Sequence, residues 1–368
     1  MLLISFALKN PADTEFLSTT TTFCQEKFTL SEPNMYKLII QIPCYNEEQT
    51  LPATLADLPR EIEGVDVVEW LIIDDGSTDG TVPAARELGI DHVIRHRTNK
   101  GLAKSFQTGI DACLQLGADI IVNTDGDNQY AGSDISKLVA PILYGEADMV
   151  VGDRQTSTIE HFSRKKKTLQ KIGSFIVRKL SKTEVVDCVS GFRAFSREAA
   201  IKINIVSSFS YTIETIIQAG RKQVAIQSVP ISTNEKTRQS RLFKSMFHFL
   251  SRSGATIVRI YSMYNPLKVF CVISLILILL GTAPILRFLF YYFSGNGGGH
   301  IQSLILGSVL VIMGFTTLIT GLIADLISFN RQLIELTLEK VRRIELKQIQ
   351  HNSDEANNFR EEISEHHI

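Results

Sequence analysis

The chain of 368 residues has almost no net charge: 38 Lys and Arg stand against 39 Asp and Glu, leaving −1 at pH 7. Nothing in that balance indicates a nucleic-acid partner, which calls for an excess of cations against phosphate. Cysteine is sparse. Cys24, Cys44, Cys113, Cys188 and Cys271 fall at no spacing that suits a zinc site or a disulfide framework, which fits a reducing compartment. The glycine fingerprint of dinucleotide-binding folds and the P-loop are both missing, so a bound nucleotide would have to be held by carboxylates and a metal rather than by a backbone cradle. An EF-hand is excluded too, because counting from Asp125 puts Tyr130 at the turn-glycine position and Ser136 at the bidentate-glutamate position. Residues 1–36 lack a basic stretch followed by a long apolar core, and read as a polar extension rather than a secretion signal.

What the chain does have is a regular alternation of elements. Between residues 37 and 235, KLIIQIPCYN, VEWLIIDDGS, DHVIRHR, ADIIVNTDGD, DMVVGDRQ and VAIQSVPI read as strands, separated by helices such as PATLADLPREI, TVPAARELG and GLAKSFQTGIDACLQLG. That order predicts an α/β sheet with helices on its faces. Ligands of such sheets sit beyond the carboxyl ends of the strands, and the acids collect there. PCYNEEQTL (43–51) closes the first strand, IIDDGSTDGT (72–81) the second, and NTDGDNQY (123–130) follows the apolar run ADIIV. Asp125 and Asp127, two residues apart, project to one side if the extended conformation persists. The plainer reading of these segments is turn punctuation and helix capping.

Long apolar runs occur twice near the C-terminus. VFCVISLILILLGTAPILRFLFYYF (269–293) has Arg287 as its one charge, and SLILGSVLVIMGFTTLITGLIA (303–324) has none. Each is long enough to cross a bilayer, which takes about 20 residues, and Arg287 is near enough to an end to snorkel. Core helices of a soluble protein are the plainer alternative. The short connection SGNGGGHIQ has neither Lys nor Arg, whereas Arg238, Arg241, Arg252 and Lys268 precede the first run and Arg331, Lys340, Arg342 and Arg343 follow the second. The asymmetry predicts a membrane hairpin with both chain ends cytoplasmic. Residues 241–264 read as an amphipathic interfacial segment, 161–182 as a basic loop suited to anionic headgroups, and 351–368 as a solvated acidic tail.

PCYNEE, DDGSTDGT, NKGLAKSFQTGI, DGDNQY and VVGDR, in that order, resemble the successive motifs of the family 2 glycosyltransferases, which have the GT-A fold. Within that family, DCVSGFRAFSREA and TNEKTRQSRLFKS ahead of a membrane hairpin are similar to the dolichol-phosphate mannose synthases and bacterial polyprenyl-phosphate glucosyltransferases. The likeness covers roughly residues 37–330. It implies a GT-A (Rossmann-like) α/β catalytic domain with a mostly parallel central sheet over 37–237, a juxtamembrane amphipathic segment over 238–266, two transmembrane helices over 267–328, and a cytoplasmic helix with an acidic tail over 329–368, all preceded by the extension 1–36.

By the same resemblance, Asp125, Asp127 and Gln129 would hold Mg²⁺ or Mn²⁺, hard cations that share their shell with substrate phosphates. Asp127 would be catalytic through that metal. Pro43, Tyr45, Glu47, Asp75, Asp125 and Arg154 would bind the donor, a UDP- or GDP-hexose. Arg193, Arg238, Ser240 and Arg241 would bind the phosphate of a polyprenyl (dolichyl or undecaprenyl) phosphate, since guanidinium offers two hydrogen bonds in one plane. One departure matters: relatives often carry Asp or Ser just before the Phe-Arg pair, where this chain has Gly191, so Asp187 is the nearest acid to orient the acceptor or serve as a weak base. The implied reaction is an inverting, metal-dependent hexose transfer giving a lipid-linked monosaccharide, by an enzyme integral to the cell membrane whose catalytic domain is cytoplasmic. Homo-oligomerisation stays open. So do two other classes, a processive polysaccharide synthase and a non-catalytic membrane scaffold. The first calls for a Gln-x-x-Arg-Trp motif, whereas the one tryptophan, Trp70, precedes DDGS.

Overall fold

The computed structural model describes residues 35–155, 183–206, 211–234, 261–295 and 297–365, with a few isolated positions between them. Among the described residues seven strands form one sheet: β1 (Lys37–Cys44), β2 (Val67–Asp74), β3 (His92–Arg95), β4 (Ile120–Asn123), β5 (Met149–Asp153), β6 (Arg193–Ser196) and β7 (Ile226–Pro230), in the spatial order β3-β2-β1-β4-β6-β5-β7. β1 is parallel to β2 and β4, β2 to β3, and β5 to β7; β6 alone runs antiparallel, between β4 and β5. The fold is thus α/β with a mostly parallel sheet.

Period-2 alternation along β1 feeds two cores. Ile39 joins Phe106, Ile110 and Ile121 on one face, while Leu38, Ile40 and Ile42 join Leu51, Leu138 and Val139 on the other. The first face is covered by α3 (Leu102–Gln115), α5 (Arg197–Lys202) and α6 (Tyr211–Arg221), and the second by α1 (Leu51–Asp57) and α4 (Ile135–Leu143); α2 (Thr81–Glu87) follows β2. A strand buried on both faces cannot alternate polar and apolar residues, which is why β1 and β4 read as continuous apolar runs. Phe106 stacks on Tyr211 with ring centroids 4.0 Å apart and ties α3 to α6.

Two long helices follow, α7 (Pro266–Phe293) and α8 (Ile301–Glu365). Both are long and apolar enough to cross a membrane. Their apolar side chains point outward, Leu279 at 61% and Phe290 at 70% exposure, which is the opposite of what core helices of a soluble domain would show. Small residues set the contact between them. A Cβ on Gly281 would lie 2.8 Å from the Gly307 carbonyl, and one on Gly314 would lie 3.1 Å from the Ser274 carbonyl, so these helices approach as closely as small-residue membrane pairs do.

Gly307, Gly314, Gly321, Ser328, Glu335 and Arg342 recur at every seventh residue of α8. The three glycines face α7, and Ser328 Oγ donates to the Met263 carbonyl (2.9 Å). Farther along the same line, Glu335 pairs with Arg331 (2.9 Å) and Lys222 (3.5 Å), and Arg342 donates to the Ile203 carbonyl (3.0 Å) and to Asp111 (2.8 Å). One helix line therefore serves first the hairpin and then the sheet domain. The acidic segment expected to be a solvated tail continues α8 as helix through Glu365.

Candidate functional site

The parallel register brings the strand ends together. Cys44 pairs with Asp74 and Gln41 with Asn123, so the segments leaving β1, β2 and β4 emerge at one edge of the sheet. β6 enters from that edge, with Arg193 opposite Asn123, which lays Ser190–Phe192 alongside Thr124–Asp125. Asp153 ends β5 there as well. Beyond β7, Tyr130 bridges Thr233 and the Asn234 amide donates to the Gln129 carbonyl (3.0 Å). The chain continues into residues 235–258, so the predicted positions Arg238, Ser240 and Arg241 lie outside the described residues, as does most of the basic stretch 161–182.

β4 stops at Asn123, so a turn, not a continued strand, presents Asp125 and Asp127. Thr50 and Thr54 hydroxyls both donate to the Gly126 carbonyl (2.9 and 3.1 Å), and Asn128 adopts a left-handed φ of 54°. Asp127 Oδ1 accepts the Gln129 amide at 3.2 Å, a turn bond that asparagine can also make. Burial, and next the negative charge of Asp127, push Asp125 up to about 7, with Glu47 adding to the push and Arg154 opposing it. Anionic groups are crowded here. Among the described residues no three His, Cys, Asp or Glu side chains close on one point, so a hard cation would complete its shell with substrate oxygens, the usual habit of Mg²⁺.

Beside this turn the loops after β1 and β2 are laced together. The Asn46 amide donates to Ser77 Oγ (2.9 Å), Thr78 N–H to Asn46 Oδ1 (2.9 Å) and the Glu47 amide to Thr81 Oγ1 (2.9 Å). Asn46, Glu47, Thr78 and Asp79 line an open groove. Pro43 is buried within β1 and Tyr45 is exposed. Asp75 is shut in. It accepts the Lys100 and Gly101 amides (2.8 Å each) and faces His96 Nδ1 at 2.8 Å. These bonds fix the 96–101 loop against the end of β2 and occupy three of the roughly four acceptor sites of the carboxylate. Gly76, at φ 77°, lets this loop pack: a Cβ there would sit 2.9 Å from the Thr98 carbonyl carbon.

Arg154 and Asp187 form a two-pronged pair, Nε to Oδ2 at 2.7 Å and Nη2 to Oδ1 at 3.1 Å, with Asp187 fully buried. Asp187 also accepts the Val189 amide (3.3 Å). Arg193 needs a correction. Its guanidinium is wholly buried and donates to the Ser190 (2.8 Å), Thr212 (2.7 Å) and Cys188 (3.0 Å) carbonyls and to Thr215 Oγ1, so it knits β6 to α6 and offers nothing to an acceptor phosphate. Burial pulls its pKa below the ordinary value.

The sequence reading missed a buried polar chain beneath the acids. Gln41 Nε2 donates to Asn123 Oδ1 (2.9 Å), and Asn123 Nδ2 donates to the Gly191 carbonyl (2.8 Å) and to Tyr211 Oη (3.0 Å). The Gly191 amide in turn donates to Tyr130 Oη (3.0 Å). Both backbone groups of Gly191 are thus held, and a Cβ there would lie 3.0 Å from an Asp125 oxygen and 2.9 Å from Tyr211 Oη. The space that a side-chain base would need is occupied by Asp125 itself. Tyr130 was visible in DNQY, but nothing local marks Tyr211, which only tertiary packing brings in.

Comparison with known proteins identifies the family. The Glycosyl transferase family 2 model matches residues 39–203. Polyprenol monophosphomannose synthase of Mycolicibacterium smegmatis is 30% identical over 215 residues, 55% of this chain and 79% of the relative. UDP-N-acetylglucosamine–dolichyl-phosphate N-acetylglucosaminyltransferase of Methanococcus voltae is 31% identical over 218 residues, 52% of this chain and 83% of the relative. Among solved structures, glucosyl-3-phosphoglycerate synthase from Mycobacterium tuberculosis, in complex with Mn²⁺, UDP-glucose and phosphoglyceric acid, superposes with a TM-score of 0.50 at 20% identity, covering 64% of this chain and 85% of that one. That likeness is one of fold.

Proposed function

Because the chain belongs to glycosyl transferase family 2, we propose that it transfers a hexose from a nucleotide-diphosphate sugar to a membrane polyprenyl phosphate, with inversion, giving a lipid-linked monosaccharide. One observation carries the acceptor: the carboxylate-lined sheet edge belongs to a domain clamped by Arg342 and Arg343 onto the same helix that forms an outward-apolar hairpin. A soluble acceptor would need no such hairpin, and two relatives are named for polyprenyl or dolichyl phosphate.

In this reading Asp125 and Asp127, with Gln129, would hold Mg²⁺ or Mn²⁺; the crowding of Asp125 by Asp127 and Glu47, opposed in part by Arg154, fits such a cation. When bound, the ion neutralises charge developing on the departing diphosphate. Glu47, Tyr45 and the Asn46–Thr78 groove receive the nucleotide. Arg154, two of whose N–H groups are fixed by Asp187, turns its remaining donors toward substrate phosphate. No protein base is required, since a phosphate monoester, with a second pKa near ~6, already presents an anionic oxygen at neutral pH. That oxygen attacks the anomeric carbon as the bond to the diphosphate breaks on the opposite side. Asp187 acts by holding Arg154 rather than by taking a proton.

The test is a panel of radiolabelled UDP- and GDP-hexoses offered to membranes containing the protein, with a short-chain polyprenyl phosphate added. A chloroform-soluble product bearing one sugar is expected with one donor. Label appearing in a long polar glycan would support a processive synthase, and no metal-dependent incorporation from any donor would support a scaffold. The charge asymmetry also supports a topology. A tag near Gly298 is expected to be reached by impermeant reagents on intact cells while a reporter after Ile368 is not, and labelling at Gly298 only after permeabilisation would refute it.

A further inference from the structure

The membrane-distal part of α8 has two faces, and the sheet domain uses one. Ser328, Glu335, Arg342 and Leu346 pack against or bond to Met263, Lys222, the Ile203 carbonyl and the main core. Turned away from them, Ile327, Ile334, Val341 and Ile344 are 64%, 67%, 52% and 65% exposed. These four lie on a heptad seam. Ile327, Ile334, Val341 and Gln348 recur every seven residues at its a positions, and Ile323, Asn330, Thr337 and Ile344 at its d positions.

Lipid does not explain the stripe. The apolar run ends at Ala324, and at a rise of 1.5 Å per residue Ile334 to Ile344 stand about 15–30 Å beyond it along the helix, farther than the hydrocarbon reaches. We infer that a second copy of this chain covers it, forming a parallel, in-register two-stranded coiled coil. Three features select that occupant. β-branched Ile327, Ile334 and Val341 at successive a positions suit the seam of a parallel coiled coil. Two flanking pairs are self-complementary in register: Lys340 at g meets Glu345 at e of the other copy, and exposed Leu333 at g meets Leu338 at e. Finally, if the hairpins share one bilayer, as the function proposed above requires, both helices leave the membrane in the same direction, so only a parallel pair is available. In register Asn330 faces its own copy at d, and a one-heptad shift would set one of the two amides against Ile323. Each catalytic domain then sits on the outer face of its own helix.

The experiment uses the full chain in native membranes. On mild oxidation, Val341→Cys is expected to give a disulfide-linked dimer beyond the wild-type background, whereas Leu336→Cys, exposed but off the seam, should not. In the Val341→Cys background, Lys340→Glu should lose most of that dimer by opposing Glu345, and Lys340→Glu with Glu345→Lys should restore it. No cross-link at Val341→Cys in inserted protein, equal cross-linking at Leu336→Cys, or a charge swap that fails to restore the dimer would each overturn the inference. Cross-linking reads no sugar transfer, so its failure leaves the proposed reaction standing, and failure of the reaction leaves the dimer testable.

Discussion

Asp127→Asn should cut metal-dependent sugar transfer by two or more orders of magnitude, about 3 kcal/mol of lost transition-state stabilisation. The substitution nearly conserves volume, and asparagine can accept the same Gln129 amide bond that Asp127 accepts at 3.2 Å. If the acids merely punctuate a turn, the rate survives. Stability separates the outcomes. Asp125 titrates near 7 in the fold, partly because of Asp127, against about 3.9 for an unfolded chain. A carboxyl whose folded pKa is raised favours folding less as pH rises through that window, so at pH 8 in chelator the crowded carboxylates cost stability. Removing one charge should therefore leave the melting temperature of the metal-free protein equal or higher while transfer collapses. A mutant that keeps most of its rate, or a wild type fully active in chelator, would remove the metal site from the proposal.

Asp187→Leu should be the most destabilising single change in the described site. It strands the Arg154 guanidinium, whose side chain is 13% exposed, opposite an apolar group; breaking a buried pair from one side costs about 3–5 kcal/mol. Arg154→Met combined with Asp187→Leu should recover much of that loss, because no unpaired charge remains, and the double-mutant cycle would show strong coupling. Urea midpoints of detergent-solubilised protein measure this directly, with transfer assayed on the same samples. A general base behaves differently: Asp187→Asn would then abolish turnover with an unchanged midpoint. That result would return Asp187 to proton transfer.

The edge that carries the acids was legible because it rests on local features. An apolar run followed by Asp-Gly or Asp-Asp reads as a buried strand and its exit, and parallel strands in one sheet necessarily exit on one side. Asp125 and Asp127 were found that way. Arg193 was assigned to the acceptor phosphate by resemblance alone, yet four residues of antiparallel β6 turn that guanidinium into the core, toward carbonyls of Cys188, Ser190 and Thr212. Asp75 lies at the expected strand end, but its intramolecular partners, the amides of Lys100 and Gly101, come from a separate loop that no local pattern announces.

The sequence alone determined the α/β alternation, the two apolar spans and the clustering of carboxylates at strand ends, because periodicity and hydropathy are properties of neighbouring residues. The tertiary structure decided which charges are free to meet a ligand. Asp125 is crowded and raised, Asp187 is spent on Arg154, Arg193 on backbone carbonyls, and no base fits at Gly191 because Asp125 and Tyr211 fill its space. It also decided that α8 runs on to clasp the catalytic domain through Arg342 and Arg343. A polar group's role depends on what it is paired with, and these partners lie tens to hundreds of residues away, where no local pattern can announce them.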